Sequence, residues 1–292
     1  MKLTTLIEDR PGDAKGALTH EFGLSLHIET DTHRILLDTG QTHAFMDNAH
    51  TLGLDMGALD FAMISHGHFD HGGGLGPLMD EYKDLPVFIH KWAMGEFYAN
   101  VGSVLPPRIN GVIPRWVKSL PPFRRYIGLD REMLSRHGGR FRLINRPWYF
   151  QDDIAFITLI PKAHPMPLGN QSLLVRDQGK LIPDGFIHEI ILVIREQGEL
   201  VVFSGCCHNG ILNIVEAVER RFPKEPIKAV VGGFHLKQQP DEDVKAIGQA
   251  LAARDIPRII TGHCTGDRAQ EILAPILGER LEALKTGSVH SF

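Results

Sequence analysis

The stretch His-Gly-His-Phe-Asp-His at positions 66–71 limits the folds open to this chain more than any other segment. Four potential metal ligands, His66, His68, Asp70 and His71, fall within six positions. The apolar run Phe61–Ile64 precedes them, and Gly72, Gly73 and Gly74 follow. Such a segment reads as a buried strand ending in a tight loop, with imidazoles and a carboxylate gathered where the strand stops. Neutral imidazole and carboxylate suit zinc, manganese or iron. Crowding them together without a cation would bury polar groups at a desolvation cost. His66 and His68 are two apart, so on an extended segment they point to the same side. Asp70 and His71 lie beyond, on a turn entering a helix. One loop thus offers two groups of ligands, the beginnings of two cation sites, each needing completion from elsewhere.

The segments that can complete them also sit at strand ends. Ser204-Gly205-Cys206-Cys207-His208-Asn209-Gly210 follows an apolar run at 200–203. Gly232-Gly233-Phe234-His235 follows 229–231, and Thr261-Gly262-His263-Cys264 follows 258–260. Glycine beside each histidine lets the backbone turn sharply and approach closely. Further strands are expected at 24–28, 34–37, 87–89, 154–160 and 189–194. Helical patterns cover 42–52, opening with a Thr cap, and 209–221, where Ile211, Ile214, Val215 and Val218 share a face. Two more, 241–253 and 267–277, each open on an Asp placed to cap. Early strands joined by short turns and later strands alternating with helices predict an α/β (α+β) fold of sheets covered by outer helices.

The 292 residues are read as one domain, long enough to bury a core without disulfide support. Three cysteines, two of them adjacent, do not make a disulfide framework. A net charge of −4 gives no general reason to expect nucleic acid or a membrane as partner. No run approaches the ~20 apolar residues of a membrane span, and the first residues lack the apolar core of a secretion signal. A cytoplasmic protein is the expectation. The charge is uneven: ten basic residues lie between Arg108 and Arg146, against Asp130 and Glu132 alone. A lid-like insertion is expected at about 100–126, which holds five prolines, five basic residues and no acid. Such a stretch can guide a phosphate or carboxylate.

Asp38 in Leu36-Leu37-Asp38-Thr39-Gly40, then His-Gly-His-Phe-Asp-His, then His263 near the C-terminus, resembles the metallo-β-lactamase superfamily in order and spacing over nearly the whole chain. More narrowly, 205–211, 232–236 and 262–265 resemble its dihydropterin–ribofuranosylaminobenzene-phosphate synthase-like branch, a group usually regarded as metal-dependent hydrolases. The resemblance implies a four-layer αββα sandwich with the metal site at one edge of two sheets. It implies that His66, His68, Asp70, His71 and His263 are ligands, and that the cofactor is two divalent ions, zinc first, with manganese or iron as alternatives. Many relatives carry a further ligand histidine and an Asp bridging the metals. Cys206 stands where that Asp is commonly found, and His208 is the candidate for the imidazole. Branch relatives often show Thr-Gly-Glu-Ile-Pro-Arg where this chain has Thr158-Leu159-Ile160-Pro161-Lys162, a departure from the branch's pattern that bears on the substrate.

The remaining roles stay open at this level. Cys206 and Cys207 read as small buried hydrophobes or, for Cys206, as a ligand. His235 reads as a hydrogen-bond donor behind the ligands, a substrate contact, a ligand or a catalytic group, and Asp38 as a group orienting the histidine loop or a possible ligand. Asp70 can hold a metal and accept a proton. His90, His137 and His164 read as ordinary core or surface histidines. The expected activity is metal-assisted hydrolysis or group transfer on a small anionic molecule, possible substrates including a dihydropterin precursor. An iron-dependent redox enzyme and a non-catalytic binding protein are the alternatives.

Overall fold

The computed structural model describes residues 1–12, 16–100, 124–151 and 153–292. The lid-like insertion expected at 100–126 lies outside the described residues except for its two ends.

In chain order the strands are β1 (Lys2–Ile7), β2 (Ser25–Glu29), β3 (Arg34–Leu37), β4 (Phe61–Ile64), β5 (Val87–His90), β6 (Phe97–Asn100), β7 (Arg124–Tyr126), β8 (Phe141–Ile144), β9 (Trp148–Phe150), β10 (Ile154–Ile157), β11 (Leu173–Asp177), β12 (Lys180–Pro183), β13 (Ile191–Glu196), β14 (Glu199–Phe203), β15 (Ile227–Gly233), β16 (Arg258–Gly262), β17 (Leu281–Ala283) and β18 (Val289–Ser291). The α-helices are α1 (Ala44–Thr51), α2 (Phe69–Gly72), α3 (Leu75–Glu81), α4 (Arg131–His137), α5 (Ile211–Arg221), α6 (Asp241–Ala252) and α7 (Asp267–Leu277).

Two seven-stranded sheets form the centre. One has the order β18-β1-β2-β3-β4-β5-β8, the other β17-β16-β15-β14-β13-β10-β9. Fully buried Leu26, Ile28, Phe61 and Met63 from the first meet Phe156, Leu192, Val201 and Val231 from the second in a shared apolar layer. Helices α1, α3 and α4 cover the outer face of the first sheet through Phe45, Leu78 and Met133. Helices α5, α6 and α7 cover the second through Ile214, Val218, Val244 and Leu273. The result is the αββα sandwich. A small sheet, β12-β11-β6-β7, was not anticipated; its strands are mostly half-exposed and lack a sustained apolar alternation.

Local chemistry adjusts several boundaries. The strand expected over 154–160 stops at Ile157, because Leu159 takes a left-handed conformation (φ 60°) ahead of Pro161. Asp241 and Asp267 open their helices rather than cap them; Pro240 and Gly266 hold the cap positions. The acids still face the positive end of each helix. Thr42 sits just before α1, where its Oγ1 accepts the Ala44 N–H at 3.1 Å.

Strand direction decides where chemistry collects. β3, β4 and β5 are mutually parallel, as are β14, β15 and β16. Their C-terminal ends therefore lie along one edge of the sandwich. β13 is antiparallel to β14 and β10 antiparallel to β13, so the start of β13 and the end of β10 reach the same edge. β2 is antiparallel to β3 and β1 antiparallel to β2, which brings the end of β1 there too.

Candidate metal centre

The loop after β4 leaves the sheet at Ser65 and places His66, His68, Asp70 and His71 in the interior, each no more than 6% exposed. His208 arrives from the turn after β14 and His263 from the end of β16, also buried. Two triads result. In one, donor atoms of His66, His68 and His208 lie within 4.8 Å of one another. In the other, Asp70, His71 and His263 do the same. The six residues expected as ligands are thus brought together, split between two adjoining sites.

The hydrogen bonds around each imidazole set its tautomer. His71 Nδ1 donates to Asp38 Oδ2 at 2.6 Å, leaving Nε2 to face Cys206 Sγ at 3.0 Å and Asp70 Oδ2 at 3.9 Å. His263 Nδ1 donates to Asp9 Oδ1 at 2.7 Å, leaving Nε2 3.4 Å from Asp70 Oδ2. His208 Nδ1 donates to Asn170 Oδ1 at 3.0 Å. Ser65 Oγ donates to Asp38 Oδ2 at 2.7 Å, so it accepts from His66 Nδ1 at 3.0 Å. His66 Nε2 then confronts His68 Nδ1 at 3.1 Å. Outward nitrogens tied to carboxylate, amide or hydroxyl, with inward nitrogens bearing lone pairs, are what metal-ligating histidines require.

Four buried ring nitrogens of this cluster are left over. His68 Nε2, His208 Nε2, His263 Nε2 and His235 Nδ1 are buried without a hydrogen-bond partner among the described residues. Buried polar atoms are seldom left so. The orphaned nitrogens, the Asp70 carboxylate and the Cys206 sulfur form a donor set that fits two divalent cations.

The electrostatics of the triads differ. Burial, followed by the neighbouring imidazoles, holds His66 and His208 well below the usual histidine value and takes His68 down to about 3. These three imidazoles are neutral, the form in which a histidine can hold a metal. At the other triad burial works against charge, but His71 and His263 together hold the Asp70 carboxyl well below its ordinary value. Burial likewise opposes the His71 charge, yet Asp38 and Asp70 raise its pKa. The second site is therefore rich in negative charge and attracts a cation or protons in competition.

Cys206 is buried and contacts both triads: its sulfur shares a 4.8 Å cluster with His66 and His71, and another with His208 and His235. Burial pushes its thiol up, so ionisation needs a cation beside it. Cys207 instead points into the apolar layer below α5. His235 packs its ring 4.2 Å from that of His208 and lines the cavity over the centre. Asp38 accepts from His71 Nδ1 and Ser65 Oγ, and from the Ser65 N–H at 2.7 Å. His137 and His164 are engaged by Asp80 and Glu216, each at 3.0 Å, and His90 is buried at the end of β5.

Several supporting residues escape a reading of the sequence. Glu8 and Asp9, just past β1, accept from the His263 backbone and ring. Glu189 is buried and accepts the His208 and Asn209 N–H groups at 2.7 and 2.9 Å. His188 Nδ1 accepts the Gly67 N–H at 3.2 Å while its Nε2 donates to Asp184 at 3.0 Å, pinning the loop between His66 and His68. His188 and Glu189 precede a strand rather than follow one. Only the antiparallel setting of β13 brings them to the edge where the other strands end.

A family model described as the metallo-beta-lactamase superfamily matches residues 18–206. The chain is 28% identical over 302 residues to the 7,8-dihydropterin-6-methyl-4-(β-D-ribofuranosyl)-aminobenzene-5′-phosphate synthase of Methanocaldococcus jannaschii, covering 100% of this chain and 97% of that one. A solved metal-dependent hydrolase of the beta-lactamase superfamily superposes with a TM-score of 0.80 at 28% identity, covering 100% and 99% of the two chains. Zn(2+)-bound PqqB from Methylobacterium extorquens shares the fold at a TM-score of 0.53 and 12% identity, with both chains fully covered.

Proposed function

Because this chain belongs to the metallo-β-lactamase superfamily of metal-dependent enzymes, we propose that it is a two-cation enzyme that hydrolyses or transfers a group on a small anionic molecule. The observation that carries this reading is the pair of adjoining triads, His66/His68/His208 and Asp70/His71/His263, in which the buried His208 Nε2 and His263 Nε2 have no hydrogen-bond partner among the described residues. Each triad would hold one ion, with Cys206 between them, and zinc is the ion proposed for this imidazole-rich set. When bound, such ions supply Lewis acidity and neutralise charge that develops on an oxygen.

The protein's own groups divide the remaining tasks. Asp70 stands beside His71 and His263 and would serve as a ligand. His235 lines the cavity with its Nδ1 unpartnered among the described residues, so it is the group proposed to carry a proton between attacking and leaving atoms. The outward bonds from Asp9, Asp38 and Asn170 hold the imidazoles in place through the reaction. Similarity to the synthase over the whole chain favours group transfer: an arylamine nitrogen would bond to a pterin methylene carbon as its bond to a pyrophosphate oxygen breaks. His235 would take the amine proton.

Elemental analysis of protein purified without added metal tests the centre. Two zinc ions per chain are expected, and substantial loss of one in the double variant His66→Ala/His68→Ala, which should still fold and lose activity. A double variant that keeps full metal content and turnover would sink the assignment. Comparing a dihydropterin pyrophosphate ester plus arylamine with phosphodiesters, lactones and thioesters then separates transfer from hydrolysis.

A further inference from the structure

The described arginines of the basic stretch that ends at Arg146 do not act as a unit in the fold. Arg131 pairs with Glu96 at 3.9 Å and Arg136 with Asp80 at 3.1 Å. Arg140 donates to the carbonyls of Met79, Tyr82 and Lys83. Arg142 lies in a separate surface hollow beside Trp148. Arg125, on β7, is placed otherwise. It lines the cavity of ≈ 420 Å³ that opens over the candidate metal centre, and among the described residues it is the only Lys or Arg lining it. Its guanidinium stands 5.1 Å above the Phe69 ring, a cation–π contact that steadies it without neutralising it. No ion pair engages Arg125 among the described residues.

The lining combines apolar Phe22, Phe69, Ile127 and Leu173 with donors from both triads. Phe22 lays its ring 4.8 Å from that of His263, extending the apolar lining to the edge of the second triad. A ligand in this cavity meets metal-site donors, apolar side chains and, among the described residues, a single cation. Among the described residues Asp70 is the only acid in the lining, and it belongs to the triad.

We infer that Arg125 and the apolar side chains around Phe69 form the substrate-recognition site, which takes a molecule with a ring or other flat apolar body bearing a phosphate or carboxylate. The oxyanion sits on the Arg125 fork, which matches such groups through two parallel N–H bonds. The apolar body lies along Phe22, Phe69 and Leu173, and the reacting atom faces the triads. This rests on the metal-centre reading above and adds to it the residue that selects the substrate.

Calorimetry on the zinc-loaded full-length chain with phenylphosphonate, benzoate and methylphosphonate tests the inference. Phenylphosphonate or benzoate should bind more tightly than methylphosphonate, and the tighter of the two identifies the oxyanion. Arg125→Gln should weaken that binding by about tenfold or more while keeping wild-type metal content. Arg142→Gln, an exposed arginine of the same stretch, should leave binding unchanged. Undiminished binding in Arg125→Gln would overturn the inference, as would an equal loss in Arg142→Gln or no preference for the ring. A preparation that holds no metal yet shows Arg125-dependent binding would retire the metal-centre reading and leave this one standing.

Discussion

Asp9 shows how a residue far from the signature motif governs it. It lies 254 positions from His263 in sequence and receives that ring's Nδ1–H at 2.7 Å. Burial disfavours the Asp9 charge, but the His263 imidazole holds its carboxyl below the usual range. Asp9→Asn keeps the size and removes the charge that fixes the tautomer and strengthens the ligand. Loss of such a partner weakens metal affinity by about 10–100-fold. Only the Asp70/His71/His263 site should suffer, so titration of the stripped variant with zinc should show one tight and one weakened step. Two unaltered steps would deny Asp9 this role. Nothing in the sequence around Asp9 marks it, because its partner is chosen by strand order. The candidate ligands are another matter: His66, His68, Asp70 and His71 announce themselves by crowding, and His208 and His263 by their glycine-flanked strand ends. Cys206 carries no such mark, since a cysteine after a strand looks the same whether it packs or ligates; its place between the triads is visible only in three dimensions.

The elements that carry the centre are the ends of parallel strands, and these were the most legible parts of the chain. Runs such as Phe61–Ile64 are buried on both faces, so they read as continuous apolar segments. β1 is harder to see, because Thr4 and Thr5 interrupt its apolar residues although both are buried in the fold. The two sheets meet at the centre with almost no spare room. A Cβ at Gly205, after β14, would fall 2.1 Å from Ser65 Oγ and 3.0 Å from Asp38 Oδ2 at the end of the neighbouring sheet's strands. Gly205→Ala must therefore push apart the Ser65–Asp38 pair that aligns His66 and His71. Overpacking of this kind costs about 1–3 kcal/mol. Both thermal stability and zinc affinity should fall together. A variant that loses stability but binds zinc like the wild type would show that the ligand geometry does not depend on this contact.

At the scale of the whole molecule, the fold stores buried neutral histidines, and this sets its acid limit. His27 and His90 lie outside the triads, are 1% and 2% exposed, and have pKa values lowered chiefly by burial, His90 to about 4. His90 Nδ1 accepts the Trp92 N–H at 3.2 Å, which fixes the neutral form at the turn following β5. In an unfolded chain the same imidazole protonates near its ordinary value of about 6.5. The unfolded state therefore binds more protons as the pH drops through this interval. The His90 contribution is fully present above about pH 6.5 and is lost as the pH falls towards about 4, amounting to at most about 3 kcal/mol. His90→Asn retains an acceptor for the Trp92 N–H and removes the titrating group. Denaturant unfolding from pH 7.5 to 4 should show a shallower fall of stability with acid in this variant than in the wild type, with the two curves diverging below pH 6.5. Parallel curves across that range would mean that His90 is protonated without cost in the folded chain. A loaded metal centre sharpens the comparison, because ions on His66, His68 and His208 release on acidification and destabilise both proteins alike, whereas the difference between the curves isolates His90.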